Sequence, residues 1–288
     1  PELSFARTAV DKVDPPMAII KVAAGGTHLG GGWNPDEPSG FEMYPLLIDT
    51  VREALVALEE EGLEYQLEGF VWHQGENDMF NADYMANYGA NLERFVARVR
   101  EDLEQPDLRF YVGELCVKSI WGMDLRPRMY AISQGQKAVA AADPLVDYVP
   151  TAHIAVEIGR PVGLHYHYGT LGQLEHGVNH AEAYLKNVGA WEPDHRPLES
   201  WPFEKEVPVR LFVLAGHRNM EGERAFVQEA VELEGARRWL EPNPRAPFRY
   251  AIGGGVKASE GWEPLRAAGF YDTFGPELVF GNQVSAGL

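Results

Sequence analysis

The stretch Gly-Phe-Val-Trp-His-Gln-Gly-Glu-Asn-Asp, residues 69–78, constrains the fold of this chain more than any other. An apolar run from Gly69 to Trp72 stops abruptly at a cluster of amides and carboxylates. A buried strand reads this way when its carboxyl end opens on a crevice, and in open α/β sheets that crevice is where ligands bind. Gln74 and Asn77 can each donate two N–H bonds, and Gly75 lets backbone approach a ligand closely. An ordinary polar turn after a strand gives the same pattern, so taken alone the stretch leaves both readings open.

The rest of the chain supplies the surroundings that such a strand needs. Apolar runs at 16–24, 67–72, 108–116 and 145–149 read as strands, and amphipathic segments lie between them. Leu47, Val51, Ala54, Leu55 and Leu58 mark one helical face that stops at Gly62. Tyr84, Tyr88, Leu92, Phe95, Val96, Val99 and Leu103 mark another, with Asn81 or Asp83 as its cap. A third helix ends near Asp143-Pro144, and a fourth runs through Leu185. Strands alternating with helices predict an α/β fold: a parallel sheet covered on both faces, a three-layer α/β/α sandwich of flavodoxin-like type. Beyond a Pro-rich stretch at 191–208, residues 209–215 (Val-Arg-Leu-Phe-Val-Leu-Ala) predict one more buried strand.

Composition narrows the partners. The 288 residues carry a net charge of −18 and no basic stripe, which argues against nucleic acid as a partner. The surplus acid serves solubility. No apolar run reaches membrane-spanning length, so no membrane partner is expected, and Pro1-Glu2-Leu3 does not read as a signal peptide. The single Cys116 excludes an intramolecular disulfide. His165, His167, His176 and His180 crowd one region, and the spacing of the last two would suit zinc on a helix face. No Glu stands between them in the metalloprotease arrangement and no third ligand is evident, so neither metal nor cofactor is expected.

Four blocks carry a family resemblance. Trp72-His73-Gln74-Gly75-Glu76-Asn77-Asp78 resembles the third conserved block of the sialate O-acetylesterase-like carbohydrate esterases, members of the SGNH hydrolase superfamily. Gly25-Gly26-Thr27-His28, with Lys21 before it and Trp33 after it, is similar to their second block. His165-Tyr166-His167-Tyr168-Gly169-Thr170-Leu171-Gly172-Gln173-Leu174 resembles the last. Gly216-His217-Arg218-Asn219-Met220-Glu221-Gly222 resembles the first, whose usual form is Gly-Gln-Ser-Asn-Met with serine as nucleophile.

The resemblance implies an SGNH-type fold and hydrolysis of acetyl esters on sugars such as sialic acid or polysaccharide. It also implies an acetylated glycan as partner and a periplasmic or extracellular address. It places the general base on His167, with His165 as a rival alignment, and the oxyanion donors on Gly26 and Gln74. Glu76 and Asp78 would brace the loop, and Trp33, Trp72, Asn219 and His165 would line the sugar side. Arg218 stands at the nucleophile position and Leu164 (Val162 for His165) where an aspartate is expected. A guanidinium, protonated at any ordinary pH, cannot attack an ester.

The first block also comes last in the chain. Phe274-Gly275-Pro276-Glu277-Leu278-Val279-Phe280 echoes Pro1-Glu2-Leu3-Ser4-Phe5, which suggests a window cut from a tandem array or a circular permutant with a duplicated seam. The window is favoured, because permutation does not require the same segment at both ends. The expected organisation is an esterase-like domain at 1–190 lacking its first strand, a linker at 191–208, and a first-block segment of a second or permuted copy at 209–288. Strand 209–215 would then fill the gap between strands 16–24 and 67–72. Three functions follow: an O-acetylesterase, a degenerate copy that binds glycans or acidic ligands through Arg218 and the two tryptophans, or an interaction module with neither property.

Overall fold

The computed structural model describes residues 1–13, 16–117, 119–151, 167–192, 198, 202, 210–215, 225–233, 235–252, 255, 257–269 and 273–287. They divide into two compact units, Pro1–Trp191 and Glu192–Leu288.

The first unit is built on three parallel strands, β1 (Phe70–Trp72), β2 (Phe110–Gly113) and β5 (Val146–Val149), in the order β1-β2-β5. Phe70 stands opposite Phe110, and Phe110 opposite Val146. All four residues of the central strand are buried, as expected of a parallel strand covered on both faces. Successive side chains point to opposite faces and so enter different cores. Phe110 and Val112 pack with residues of α2 (Met43–Glu60), α4 (Tyr88–Asp102) and α5 (Arg126–Ala142). Tyr111, together with Val149, packs against α1 (Glu2–Ala9) and α6 (Thr170–Asn187). Two cores on the two faces of one parallel sheet make the three-layer α/β/α sandwich that the sequence predicts. A short α3 (Ala82–Ala86) precedes α4, and a two-strand hairpin of β3 (Ser119–Ile120) and β4 (Met123–Asp124) precedes α5. Asn81 caps α3, its side-chain oxygen accepting from the Asp83 and Tyr84 N–H groups.

Helices α4 and α5 cross at two glycines. A Cβ built on Gly135 would lie 2.8 Å from the backbone nitrogen of Gly89, and one on Gly89 would lie 3.2 Å from the Gly135 Cα. Backbone cannot swing aside as a side chain can. Gly135→Ala should therefore force the helices apart and cost about 1–3 kcal/mol, despite the better helix propensity of alanine. Urea denaturation measures it; an unchanged midpoint would mean that the crossing is slack.

The second unit holds α7 (Val227–Glu232), two antiparallel pairs and α8 (Glu277–Gly287). The pairs are β6 (Asn243–Phe248) with β9 (Glu263–Leu265), and β7 (Ala251–Ile252) with β8 (Lys257–Ala258). Both copies of Pro-Glu-Leu-x-Phe open a helix at their glutamate. Among the described residues no helix is long and apolar enough to cross a membrane.

Two expected strands are corrected. Residues 16–24 carry no strand, and Ile19 and Ile20 are exposed. Residues 210–215 join no sheet either; Val213 is 83 % exposed, and Phe212 rests against Phe280 of α8. The reason is mutual dependence, since an apolar run becomes a strand only where a neighbour satisfies its backbone groups. Among the described residues, β1 has a paired strand on its β2 side only.

Candidate active site

Parallel strands deliver their following loops to one end of the sheet, and the chain's polar blocks leave from that end. The β1 loop carries His73 to Asp78. The loops after β2 and β5 are laced together by Glu114, which accepts from the Thr151 N–H (3.1 Å) and, through its backbone oxygen, from the Thr151 hydroxyl. The Tyr168 hydroxyl donates to the Thr151 oxygen at 2.7 Å, which draws Tyr168 of the last block to the same place.

Asp78 is the knot of the site. It is 0 % exposed and accepts three bonds, from the Leu29 N–H (2.9 Å), the Gly30 N–H (3.1 Å) and the Gln74 amide (2.6 Å). A buried carboxylate is tolerable only when so satisfied. Gln74 uses its amide nitrogen a second time, on the Thr27 carbonyl at 3.1 Å. Both of its N–H donors are thus engaged within the loops, and Gln74 braces them where an oxyanion donor was expected. The turn at Gly75 is made possible by its φ of +142°, and a Cβ there would strike Ile132 at 2.7 Å.

The side chain that faces Gly26 is Asn77. A Cβ on Gly26, whose φ is +79°, would lie 3.7 Å from Asn77 Nδ2. Among the described residues that amide makes no hydrogen bond, so a free N–H₂ sits beside a glycine backbone. Gly26, Thr27, His28, Gly32, Ser39, Gly40 and Phe41 line an open hollow of about 320 Å³ at this point. The sequence names Asn77 as a donor but not which of the two amides points outward. The available signal was spacing: Gln74, four residues before Asp78, folds back onto its carboxylate.

Trp33 and Trp72 are corrected from sugar platforms to core. Each is 4 % exposed, and their rings meet edge to face at 5.2 Å. The Trp33 indole N–H donates to the Thr27 hydroxyl at 2.8 Å, and Trp72 packs on Phe95 at 4.4 Å. They form the floor under the loops. Arg218, Asn219 and His165 lie outside the described residues, as does Leu164.

His167 is exposed and acts electrostatically on both Glu76 and His73. Glu76 Oε1 lies 3.9 Å from His73 Nε2, and burial raises the Glu76 carboxyl above its ordinary range. Behind His73 two more imidazoles follow edge to face, His73 to His176 at 4.3 Å and His176 to His180 at 4.4 Å. Gly113 makes room for them: a Cβ there would meet His73 Nδ1 at 2.7 Å and His180 Nε2 at 3.0 Å. His180 Nδ1 lies 2.8 Å from the His176 carbonyl, so that nitrogen carries the proton and Nε2 is a bare acceptor. Desolvation depresses all three, His73 and His180 to about 4 and His176 well below the ordinary imidazole range. Among the described residues no three His, Cys, Asp or Glu side chains are placed to hold a metal ion.

The profile of the family described as carbohydrate esterase, sialic acid-specific acetylesterase, matches residues 1–186. The chain belongs to that family. The match covers the whole of the sandwich and the site blocks within it. A probable carbohydrate esterase of Arabidopsis thaliana is 23 % identical over 200 residues, covering 65 % of this chain and 64 % of its own length. The crystal structure of the plant protein superposes with a TM-score of 0.52 at 21 % identity, covering 64 % of this chain and 66 % of that one, which shows the shared fold. The chain thus spans about 64 % of the curated relative that it matches. A salicylyl-acyltransferase from a tetracycline biosynthetic pathway is more distant, with a TM-score of 0.31 at 14 % identity over 44 % of this chain and 39 % of that one. The family is one of carbohydrate esterases, so the chain is hydrolase-like by family.

Proposed function

We propose that this carbohydrate esterase hydrolyses acetyl esters on sugars, with His167 as general base. The observation that carries the reading is the convergence of His167 on Glu76 and His73 at the carboxyl end of the sheet. Glu76 takes the part of the missing aspartate, holding a counter-charge near the imidazole that forms when His167 accepts a proton. The Gly26 N–H and the Asn77 amide are the donors for the oxyanion, in the place first given to Gly26 and Gln74. Arg218 does not supply the attacking hydroxyl, because a guanidinium stays protonated at any ordinary pH.

Acetate release from p-nitrophenyl acetate and from O-acetylated sialic acid tests this. His167→Ala should lower kcat by about 10²–10⁴-fold, the usual contribution of a positioned base. Unaltered turnover in that variant removes His167 from the mechanism.

The second reading is a glycan or acidic-ligand binder without turnover, favoured by the arginine at the nucleophile position. A guanidinium gives a carboxylate or sulfate two parallel N–H donors. The outcome that selects it is an inactive wild-type chain whose affinity for a sialylated glycan falls in Arg218→Ala.

A further inference from the structure

A second hollow lies beside the first. Gly30, Asn34, Asp83, Tyr84, Asn87, Ala90, Asn91 and Arg94 enclose about 300 Å³. The wall between the two hollows is a pair of rings: His28 lines the first, Tyr84 lines the second, and they meet edge to face at 5.5 Å. The wall is fixed to the site. A Cβ on Gly30 would come within 2.4 Å of the Tyr84 ring, so the ring lies against Gly30 backbone, and the Gly30 N–H is held by Asp78.

The lining has the donor and acceptor balance of a sugar site. Asn34 accepts from the Asp36 and Glu37 N–H groups through its oxygen, which leaves its Nδ2 available. Asn87 donates its amide to the Asp83 carbonyl and keeps its oxygen. Among the described residues the Asn91 amide, the Asp83 carboxylate and the Tyr84 hydroxyl make no hydrogen bonds within the chain. Amides both donate and accept, which suits hydroxyls that also do both, and the aromatic ring offers a flat face to sugar C–H groups. The Arg94 guanidinium faces the Asp36 carboxylate at 3.6 Å, and Asp83 is a second acid nearby, so the hollow carries no unbalanced positive charge to attract an acidic sugar.

We propose that this hollow is a second sugar subsite, which holds a neutral ring next to the acetylated sugar bound over Gly26 and Asn77. The assignment rests on the glycan reading given above. It explains why an amide-rich hollow abuts the loop that Asp78 pins: binding there orients the chain of sugars across the His28–Tyr84 wall and into the first hollow.

The test compares glycans of different length on the full chain. O-acetylated sialic acid is set against O-acetylated sialyllactose, and acetylated xylobiose against acetylated xylotetraose. The wild-type chain should favour the longer member of at least one pair by about tenfold in kcat/KM, close to 1.4 kcal/mol. Asn91→Ala and Arg94→Ala should each erase most of that gain through KM, while turnover of p-nitrophenyl acetate and the thermal midpoint stay unchanged. A length preference that survives both substitutions, or no length preference in the wild-type chain, overturns the subsite. If p-nitrophenyl acetate and the glycans are bound but not cleaved, the same pairs are compared by calorimetric affinity. Loss of the length gain there upholds the subsite while the esterase reading falls, and no measurable affinity for any of the glycans ends both.

Discussion

Asp78→Ala is expected to destabilise the first unit by about 3–5 kcal/mol and to abolish any activity of the site. The substitution leaves two backbone N–H groups, of Leu29 and Gly30, and one Gln74 N–H without their acceptor, the first and last buried and the Gly30 N–H partly so. Hydrogen bonds to a charged group are worth about 1.5–3 kcal/mol each, and an orphaned buried donor adds its own desolvation cost. Part of the loss is recovered as the loop relaxes toward water, which keeps the total below the simple sum. Asp78→Asn is the sharper variant. It keeps the shape, yet it turns one acceptor into an N–H₂ group aimed at another donor, so a loss of about 2–3 kcal/mol is still expected. Guanidinium denaturation measures both, and a loss below about 1 kcal/mol in either variant would show that the loops are held by something else. Against a typical total of about 5–15 kcal/mol, the alanine variant should be only marginally folded at 37 °C.

The second large effect is on pH. His73, His176 and His180 are buried as neutral rings, and burial pushes the first and last down to about 4 from 6.5. Their folded values are depressed, so the unfolded chain binds more protons at any pH between about 4 and 6.5. Stability therefore falls as pH drops through that window and is fully present above it. One pKa unit corresponds to about 1.4 kcal/mol, so lowering the pH from 7 to 5 should remove about 2–4 kcal/mol through His73 and His180 together. Glu76 works the other way, because burial raises its carboxyl, and it offsets part of the loss. Thermal midpoints across pH 4.5–7.5 check the slope. His180→Leu, which fills similar volume without a basic nitrogen, should remove about half of the slope; an equally steep profile in that variant would place the sensitivity elsewhere.

The sandwich was legible because its signals are local. Runs at 67–72, 108–116 and 145–149, with helical faces between them, identify the three strands and the layers. The runs at 16–24 and 210–215 look the same in composition and yet carry no strand, because hydrophobicity marks a wish for burial and not a partner to pair with. The site was legible as a region but not in its roles. Gln74 and Asn77 are equivalent as written, and only the fold of the loop decides that one amide turns inward to Asp78 while the other faces Gly26. Trp33 and Trp72 could stack on a sugar or fill a core, and the packing of the two rings against each other and Phe95 settles it. The glycine pair Gly89 and Gly135 lies 46 positions apart, and no pattern within either helix reveals that they touch.

The indoles beneath the loops also give the molecule an optical gauge. Trp33 is tied to Thr27 through its ring nitrogen and stands edge-on to Trp72, so both chromophores share the dry side of a partition whose wet side is the hollow at Gly26. Anything that lifts that partition admits water to both rings at once and shifts their emission to the red. In a variant whose other five tryptophans are replaced by phenylalanine, the fluorescence of Trp33 and Trp72 thus reads out the closure of these loops without any added label.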